Sequence, residues 1–469
     1  MSKNQSTTKI LIGIWGNPYS WKEINYKYYK DNLVSKKSKS SLSIIKEVED
    51  PKHIVIIISD TLLNALLDQK NNNFSFSIDQ IKDYKSIKNL LKNSIDNFCK
   101  DNFSFKADEV IISYGFGEFD KTKFIGNAMD FYYNLFKELA FYFTNLISEL
   151  GKDQKNIEVI LDATHGINYN LILTYRSLVQ VLVILAYYYD VKLKVLNSDP
   201  LVGTYNNNLN INVILETKIL PNLSVFRHDK RPIKPYFNLN DNQKKEIGLF
   251  LDQFFENNFC LNYKEDVYIF LSSFMYGLPT LIFSYFIDFS EIKKSIELIS
   301  KKFEENIEII SLGKIELKRS FEYTETFANL VKTFIFSYIL NIFNFNKLED
   351  IPLSKIKKIS DIFFKNFPIE KNRIDKEIKD IEDISKDIEY DYNVYIDIRS
   401  KSKDQNQDIS SNKNDNKYIR VGKRNFFAHS GFEYNSIKLK KLGNEIYIKI
   451  NDDKKGEINS LILNSLPKI

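Results

Sequence analysis

Cysteine is nearly absent from this chain: two in 469 residues, Cys99 and Cys260, too few and too far apart to build a disulfide framework. That scarcity fits a reducing, cytoplasmic setting. Histidine is almost as rare. His53, His165, His228 and His429 are scattered, and none has a second His or Cys at metal-ligand spacing. No zinc centre, and no other metal or resident cofactor, is therefore expected. Arginine is scarce too, eight residues against a large excess of lysine, and the formal net charge is only +5. Such a balance permits nucleic-acid binding through a local patch without demanding it. No basic segment followed by an apolar one opens the chain, so no secretory signal is expected. There is no Gly-x-Gly-x-x-Gly fingerprint and no Gly-Lys-Ser/Thr phosphate loop, which disfavours an enzyme that uses NAD or ATP.

What is present is 43% hydrophobic and 14% aromatic, the composition of a globular chain long enough for two or three cores. The stretch 267–287 carries no charge and is long enough to span a bilayer. Gly277 and Pro279 interrupt it, and Ser272, Ser273, Tyr276, Ser284 and Tyr285 make it amphipathic. Two short helices broken at Gly277-Leu278-Pro279 are expected there rather than a membrane span.

The first half alternates. Apolar runs rich in Ile and Val at 9–15, 53–59, 109–114, 158–162 and 192–196 suit buried parallel strands, and 211–215 adds an outer one. Longer helix-compatible stretches at 124–150 and 170–188 lie between them, as in an open α/β sheet. Beyond Pro221, Pro232 and Pro235 the period becomes helical, from about 240 to 390. The polar segment 400–417 reads as a loop. The segments 437–442 and 445–450, flanking Gly443-Asn444, read as a terminal β-hairpin.

Between loop and hairpin lies Arg424-Asn425-Phe426-Phe427-Ala428-His429. An Arg followed five positions later by a His arises by chance with probability about 0.07 at this composition, and adjacent Asn lowers that severalfold. The chemistry fits RNA cleavage in which the 2′-hydroxyl attacks the neighbouring phosphorus. That reaction needs a proton shuttle near neutral pH, which His supplies. It also needs fixed positive charge on the phosphate oxygens, which the planar Arg fork supplies. On one regular helix Arg424 and His429 diverge by about 140°, so either Arg424 lies at a frayed helix start or two copies of the motif combine.

The loops after the predicted strands hold the second cluster. They are Trp15-Gly16-Asn17-Pro18, Tyr114-Gly115-Phe116-Gly117 and Asp162-Ala163-Thr164-His165-Gly166-Ile167-Asn168. Ligands of open α/β sheets bind at the carboxyl ends of the strands. Glycines there let backbone approach phosphate, and aromatics stack on bases.

The Arg-Asn-x-x-x-His motif near the end of a helical half resembles the HEPN ribonucleases, in which two motifs meet at a dimer interface. The resemblance implies that Arg424 and His429 are the catalytic pair and that Asn425 assists. The segments Asp162-x-Thr164-His165-Gly166 and Trp15-Gly16-Asn17-Pro18 resemble CARF domains, the Rossmann-like sensors of CRISPR-associated proteins. Sensor first and nuclease last, the whole chain resembles the ancillary ribonucleases of type III CRISPR systems. The resemblance implies an α/β Rossmann-like sensor (1–222), a connector with short helices (223–290), and an all-α HEPN domain (291–469) carrying the loop and the small hairpin. It implies a single-stranded RNA substrate, a homodimer with larger assemblies left open, and a cyclic oligoadenylate activator, with cyclic tetra-adenylate favoured. The messenger would meet Trp15, Gly16, Asn17, Pro18, Gly115, Phe116, Gly117, Asp162, Thr164, His165, Gly166 and Asn168. The alternative from another class is a nucleotide-sensing regulator that binds nucleic acid without cutting it.

Overall fold

Five near-continuous apolar runs form adjacent strands of an eight-stranded sheet. In the computed structural model these are β1 (Thr7–Trp15), β4 (His53–Ser59), β5 (Glu109–Ser113), β8 (Asn156–Asp162) and β9 (Asp190–Ser198). The residues described are 7–68, 81–103, 105–150, 155–166, 168–200, 208–227, 231–259, 265–384, 391–395, 397–398 and 420–468, so the expected polar loop 400–417 lies outside them. The strand order is β3-β2-β10-β9-β8-β1-β4-β5, where β2 is Ile24–Tyr29, β3 Leu33–Ser38 and β10 Asn208–Ile219. Parallel pairing runs from β9 through β8, β1 and β4 to β5, whereas β10 pairs antiparallel with β9 and β2 antiparallel with β3. The sheet is therefore mixed. Chain order reverses at β1, because β4 and β5 build on one side of it and β8 and β9 on the other. Such a reversal leaves a crevice at the carboxyl ends of β1 and β8, the place where open α/β sheets bind ligands.

The connections are α1 (Leu42–Glu49), α2 (Leu63–Leu66), α3 (Tyr84–Asn102), α4 (Met129–Leu150) and α5 (Asn168–Leu185), followed by α6 (Asp241–Asn258). Phe124 and Ile125, expected at the start of a helix, instead end the strand β7 (Thr122–Ile125), paired with β6 (Gly117–Glu118).

The chain packs into two units, and neither is continuous in sequence. The first takes Met1–Leu220, Lys230–Asn258 and Ile296–Ala328; the second takes Pro221–Asp229, Phe259–Ser295 and Asn329–Ile469. This differs from a division at 222 and 290, and strand pairing is the reason. Residues expected to be helical form β12 (Ile307–Leu312), β13 (Lys314–Arg319) and β14 (Phe321–Tyr323). β13 pairs with β7, and β14 pairs with β11 (Ile233–Pro235). Burial alternates along β13, where Ile315, Leu317 and Arg319 are buried between more exposed neighbours, which is the period of a strand.

The second unit holds α7 (Asp266–Tyr276), α8 (Pro279–Ser284), α11 (Leu353–Phe363) and α12 (Pro368–Asp383), while α9 (Phe289–Glu305) and α10 (Glu325–Ile342) supply residues to both units. The uncharged stretch divides as its Gly-Leu-Pro break predicts: Gly277 caps α7 at φ 66° and Pro279 opens α8. Among the described residues, no helix is long and apolar enough to cross a membrane. The unit is not all-α. The strands β15 (Ile351–Pro352), β16 (Asn393–Val394), β17 (Ile437–Leu442) and β18 (Glu445–Ile450) form a sheet in the order β15-β18-β17-β16. β17 and β18 are a hairpin turned at Gly443, φ 61°.

Candidate functional site

The Arg-Asn-x-x-x-His segment folds as one short helix, Lys423–Ala428, opened by Gly422 and closed by His429. Phe426 is buried and anchors it, and the Phe427 ring packs 4.9 Å from that of Tyr276. The helix ends sharply because Ser430 and Gly431 both take the left-handed conformation, at φ 51° and 83°. Arg424 and Asn425 are exposed on the helix, and His429 is about one-third exposed at 32%. Arg424 lies inside the helix, not before it. It stands in the first turn after Gly422, while His429 follows the last helical residue with φ −104° and ψ 24°, so the two are not held on one regular helix.

His429 is held from behind. Its Nδ1 lies 2.7 Å from Oε1 of Glu377, a carboxylate buried in α12. Burial pushes the Glu377 carboxyl up from its ordinary range, and the hydrogen bond to His429 opposes that shift. One turn earlier, Arg373 donates to the carbonyls of Phe427, at 3.0 Å, and Tyr276, at 3.1 Å. Neither Arg373 nor Glu377 belongs to a motif. Only their spacing of four on a charged helix hinted at a shared face.

In the first unit the loops after β1 and β8 meet at the crevice, where the Gly16 N–H donates to the carbonyl of His165 at 3.0 Å. Asp162 is buried and organises the turn. It accepts from the Ser41 hydroxyl at 2.5 Å and from the Thr164 N–H at 3.0 Å. The Thr164 hydroxyl accepts from the Ser198 N–H at 3.2 Å. The His165 ring stacks on Trp21 at 3.9 Å, and its Nε2 lies 3.4 Å from the Ser41 N–H. Burial lowers the His165 pKa against the pull of Asp162, so the ring is a neutral, flat platform. Thr164, His165 and Gly166 line a cleft of about 520 Å3 with Trp21, Lys22, Tyr26 and Lys39.

The other candidate residues are placed differently. Trp15, Gly16 and Asn17 border a smaller cleft of about 170 Å3, with Ser59, Thr61 and Phe119. Trp15 is 1% exposed and packs on Trp21 and Phe98, so it is a core residue and presents no face to a base. Asn17 accepts from the Tyr19 N–H and caps the turn that buried Pro18 opens. Gly115 is needed for packing: a Cβ there would lie 2.2 Å from the Ser59 hydroxyl. Its N–H donates to Asp60 at 2.6 Å, and its carbonyl accepts from Arg319 at 2.6 Å. Phe116 stacks on Tyr169 at 4.3 Å, Gly117 begins β6 at φ 127°, and Asn168 opens α5. Lys22 and Lys39 were missed by sequence reasoning because lone lysines carry no pattern in so lysine-rich a chain. Among the described residues, no group of three or more His, Cys, Asp or Glu side chains gathers as a metal site would require.

Two family models match the chain. The one described as CRISPR system endoribonuclease Csx1, CARF domain, covers residues 10–200, and the one described as CRISPR system endoribonuclease Csx1, HEPN domain, covers residues 367–452. The CRISPR system endoribonuclease Csx1 of Methanocaldococcus jannaschii is 32% identical over 462 residues, spanning 96% of this chain and 89% of that one. Among solved structures, Enterococcus italicus Csm6 bound to cyclic hexa-2′-fluoro-hexa-dAMP aligns over 98% of this chain and 100% of that chain, at 11% identity and a TM-score of 0.20. The HEPN match contains Arg424, Asn425 and His429 together with Arg373 and Glu377, and the CARF match contains Trp21, Lys22, Lys39, Thr164, His165 and Gly166 of the larger cleft.

Proposed function

The chain belongs to the Csx1 family of CRISPR endoribonucleases, with an N-terminal CARF domain and a helical C-terminal HEPN domain, and from that premise we propose a metal-independent nuclease for single-stranded RNA, switched on by a cyclic oligoadenylate. The observation that carries the reading is the partly exposed His429, paired with Glu377 at the end of the Arg-Asn-x-x-x-His helix.

In the reaction the RNA 2′-oxygen forms a bond to the adjacent phosphorus and the bond from phosphorus to the 5′-oxygen breaks. The products are a 2′,3′-cyclic phosphate and a 5′-hydroxyl. One His429 takes the proton of the 2′-hydroxyl, and a protonated His429 from the second copy gives one to the leaving oxygen. Arg424 stabilises the charge that grows on the phosphate oxygens, and Asn425 orients the strand. Two motifs meeting across a homodimer bring Arg424 and His429 of both copies to one phosphate. The activator, for which cyclic tetra-adenylate is the first choice, binds at the β1 and β8 crevice. His165 and Trp21 offer a stacking platform there, and Lys22 and Lys39 offer charge for phosphate.

The test is cleavage of single-stranded RNA in EDTA, with and without cyclic tetra-adenylate. Cleavage should persist in EDTA, rise with the cyclic nucleotide and spare DNA of the same sequence, which lacks the attacking hydroxyl. His429→Ala should lower it by ~10²–10⁴-fold, the range general acid–base catalysis supplies. Activity that vanishes in EDTA and returns with magnesium, or equal cutting of DNA, would overturn the reading.

A further inference from the structure

We propose that Glu377 is the positioning residue that fixes the tautomer of His429, while Arg373, one turn earlier on the same helix, anchors the backbone that carries the ring. The proposal rests on the reading of His429 as the proton-transfer group.

Both residues project from α12 at positions i and i+4, so they address one neighbour together. The Arg373 guanidinium holds carbonyls in the last turns of two helices at once, Tyr276 of α7 and Phe427 of the motif helix. A cation is favoured there by the partial negative charge of helix C-termini. The approach is close: a Cβ at Gly277 would meet the Cβ of Glu370 at 3.1 Å, and the φ of 66° already calls for glycine. The backbone before His429 is thus fastened to α12 and to the α7 cap.

With the backbone fixed, Glu377 settles the ring. A neutral imidazole carries one N–H, and a carboxylate only accepts. The 2.7 Å contact between Glu377 Oε1 and His429 Nδ1 therefore places that N–H on Nδ1. The lone pair is left on Nε2, the nitrogen turned away from the buried carboxylate. Only in that tautomer can Nε2 accept the proton of a 2′-hydroxyl. A neutral imidazole without such a partner prefers its proton on Nε2, which would then donate where the reaction needs an acceptor. Burial of Glu377, 4% exposed, keeps water from competing for the same nitrogen.

Two signals test this on the full chain. With 15N-labelled histidine, the His429 resonances, identified by their absence from His429→Ala, should report Nδ1 protonated and Nε2 bare in the neutral form. In Glu377→Leu, which fills the space without an acceptor, the proton should move to Nε2. RNA cleavage under activating conditions should lose ~10²-fold or more in kcat, with KM within about threefold. A merely structural role for Glu377 would change melting and KM and leave the tautomer alone. A wild-type ring protonated on Nε2, or Glu377→Leu cleaving within about threefold of wild type, overturns the proposal. If Glu377→Leu does not melt cooperatively, Glu377→Asp, which withdraws the carboxylate by one methylene, is read on the same two signals. Should the wild-type chain cut no RNA, the nuclease reading fails, while the tautomer measurement still decides the part played by Glu377.

Discussion

Asp130 stands at the start of α4 with no exposure at all. One carboxylate oxygen accepts the Tyr323 N–H at 2.9 Å, and the other has no partner among the described residues. Burial pushes its pKa up to about 7, against the opposing pull of Arg319 and with a further push from Glu322. The sign follows from comparing the two states. Below the unfolded value near 3.8 both are protonated, and the group costs nothing. As pH climbs to about 7 the unfolded chain ionises while the folded one does not, so stability drains away and the full penalty is present above that. A shift of this size is worth on the order of a few kcal/mol. Thermal melts of wild type and Asp130→Asn across pH 4 to 8 should therefore diverge, with the variant gaining on the wild type as pH rises. A constant difference would show that Asp130 is ionised throughout. Residues of this kind are invisible in the sequence, because Asp130 is buried by β14, nearly two hundred positions away. The contiguous motif is the opposite case. Arg424, Asn425 and His429 could be named together because six residues of chain carry them. Glu377, paired with His429 through the fold, carried no local mark. Trp15 shows the converse error, since an aromatic beside Gly-Asn-Pro resembles a stacking platform until its burial is known.

Elements were legible where their period was unambiguous. The run at 53–59 matches β4, and β1, β5, β8 and β9 lie within two residues of their expected ends. Long apolar runs buried on both faces leave little choice of structure. The failures came at half-exposed strands. β12 and β13 interleave Ile and Leu with Glu, Lys and Ser, and next to long helices that composition reads as more helix. β2 and β3 hide in the same way, with Lys, Asn and Ser on their outer face. The α12 helix was expected as part of a bundle, yet its distinctive work is the clamp by Arg373. Removing that guanidinium in Arg373→Ala strips charged donors from two helix ends, each hydrogen bond being worth ~1.5–3 kcal/mol. The variant should lose about 3–6 kcal/mol in urea unfolding, and Arg373→Lys, which keeps the charge but not the fork, should lose less. Equal losses in the two variants would mean that the planar fork holds the motif helix and that charge alone contributes nothing.

For the whole molecule, the proposed function requires that a signal at the β1 and β8 crevice govern the site in the HEPN domain. A nuclease left permanently active would destroy the RNA of its own cell, so the resting state should hold its two motifs out of productive register. A ligand shifts such an equilibrium only by its differential affinity for the two states; equal binding to both shifts nothing, however tight. A cyclic, internally symmetric oligoadenylate is suited to this, because in an isologous dimer each chain offers the same loop to the twofold axis. If the chain dimerises in this way, one ring would engage both copies of Thr164, His165 and Gly166 and prefer the dimer arrangement that brings the two crevices together. Calorimetry with cyclic tetra-adenylate should therefore saturate at one ring for every two chains, and cleavage should reach its plateau at the same ratio. Gly166→Leu should raise the concentration needed for both. A Cβ at 166 already touches the Ala163 carbonyl and Leu171 at 3.4 Å, and Gly166 lines the larger cleft, so a leucine side chain there would crowd it. Saturation at one ring per chain would break the link between ring symmetry and dimer symmetry. It would mean that each sensor reads its messenger alone and that activation travels within a chain.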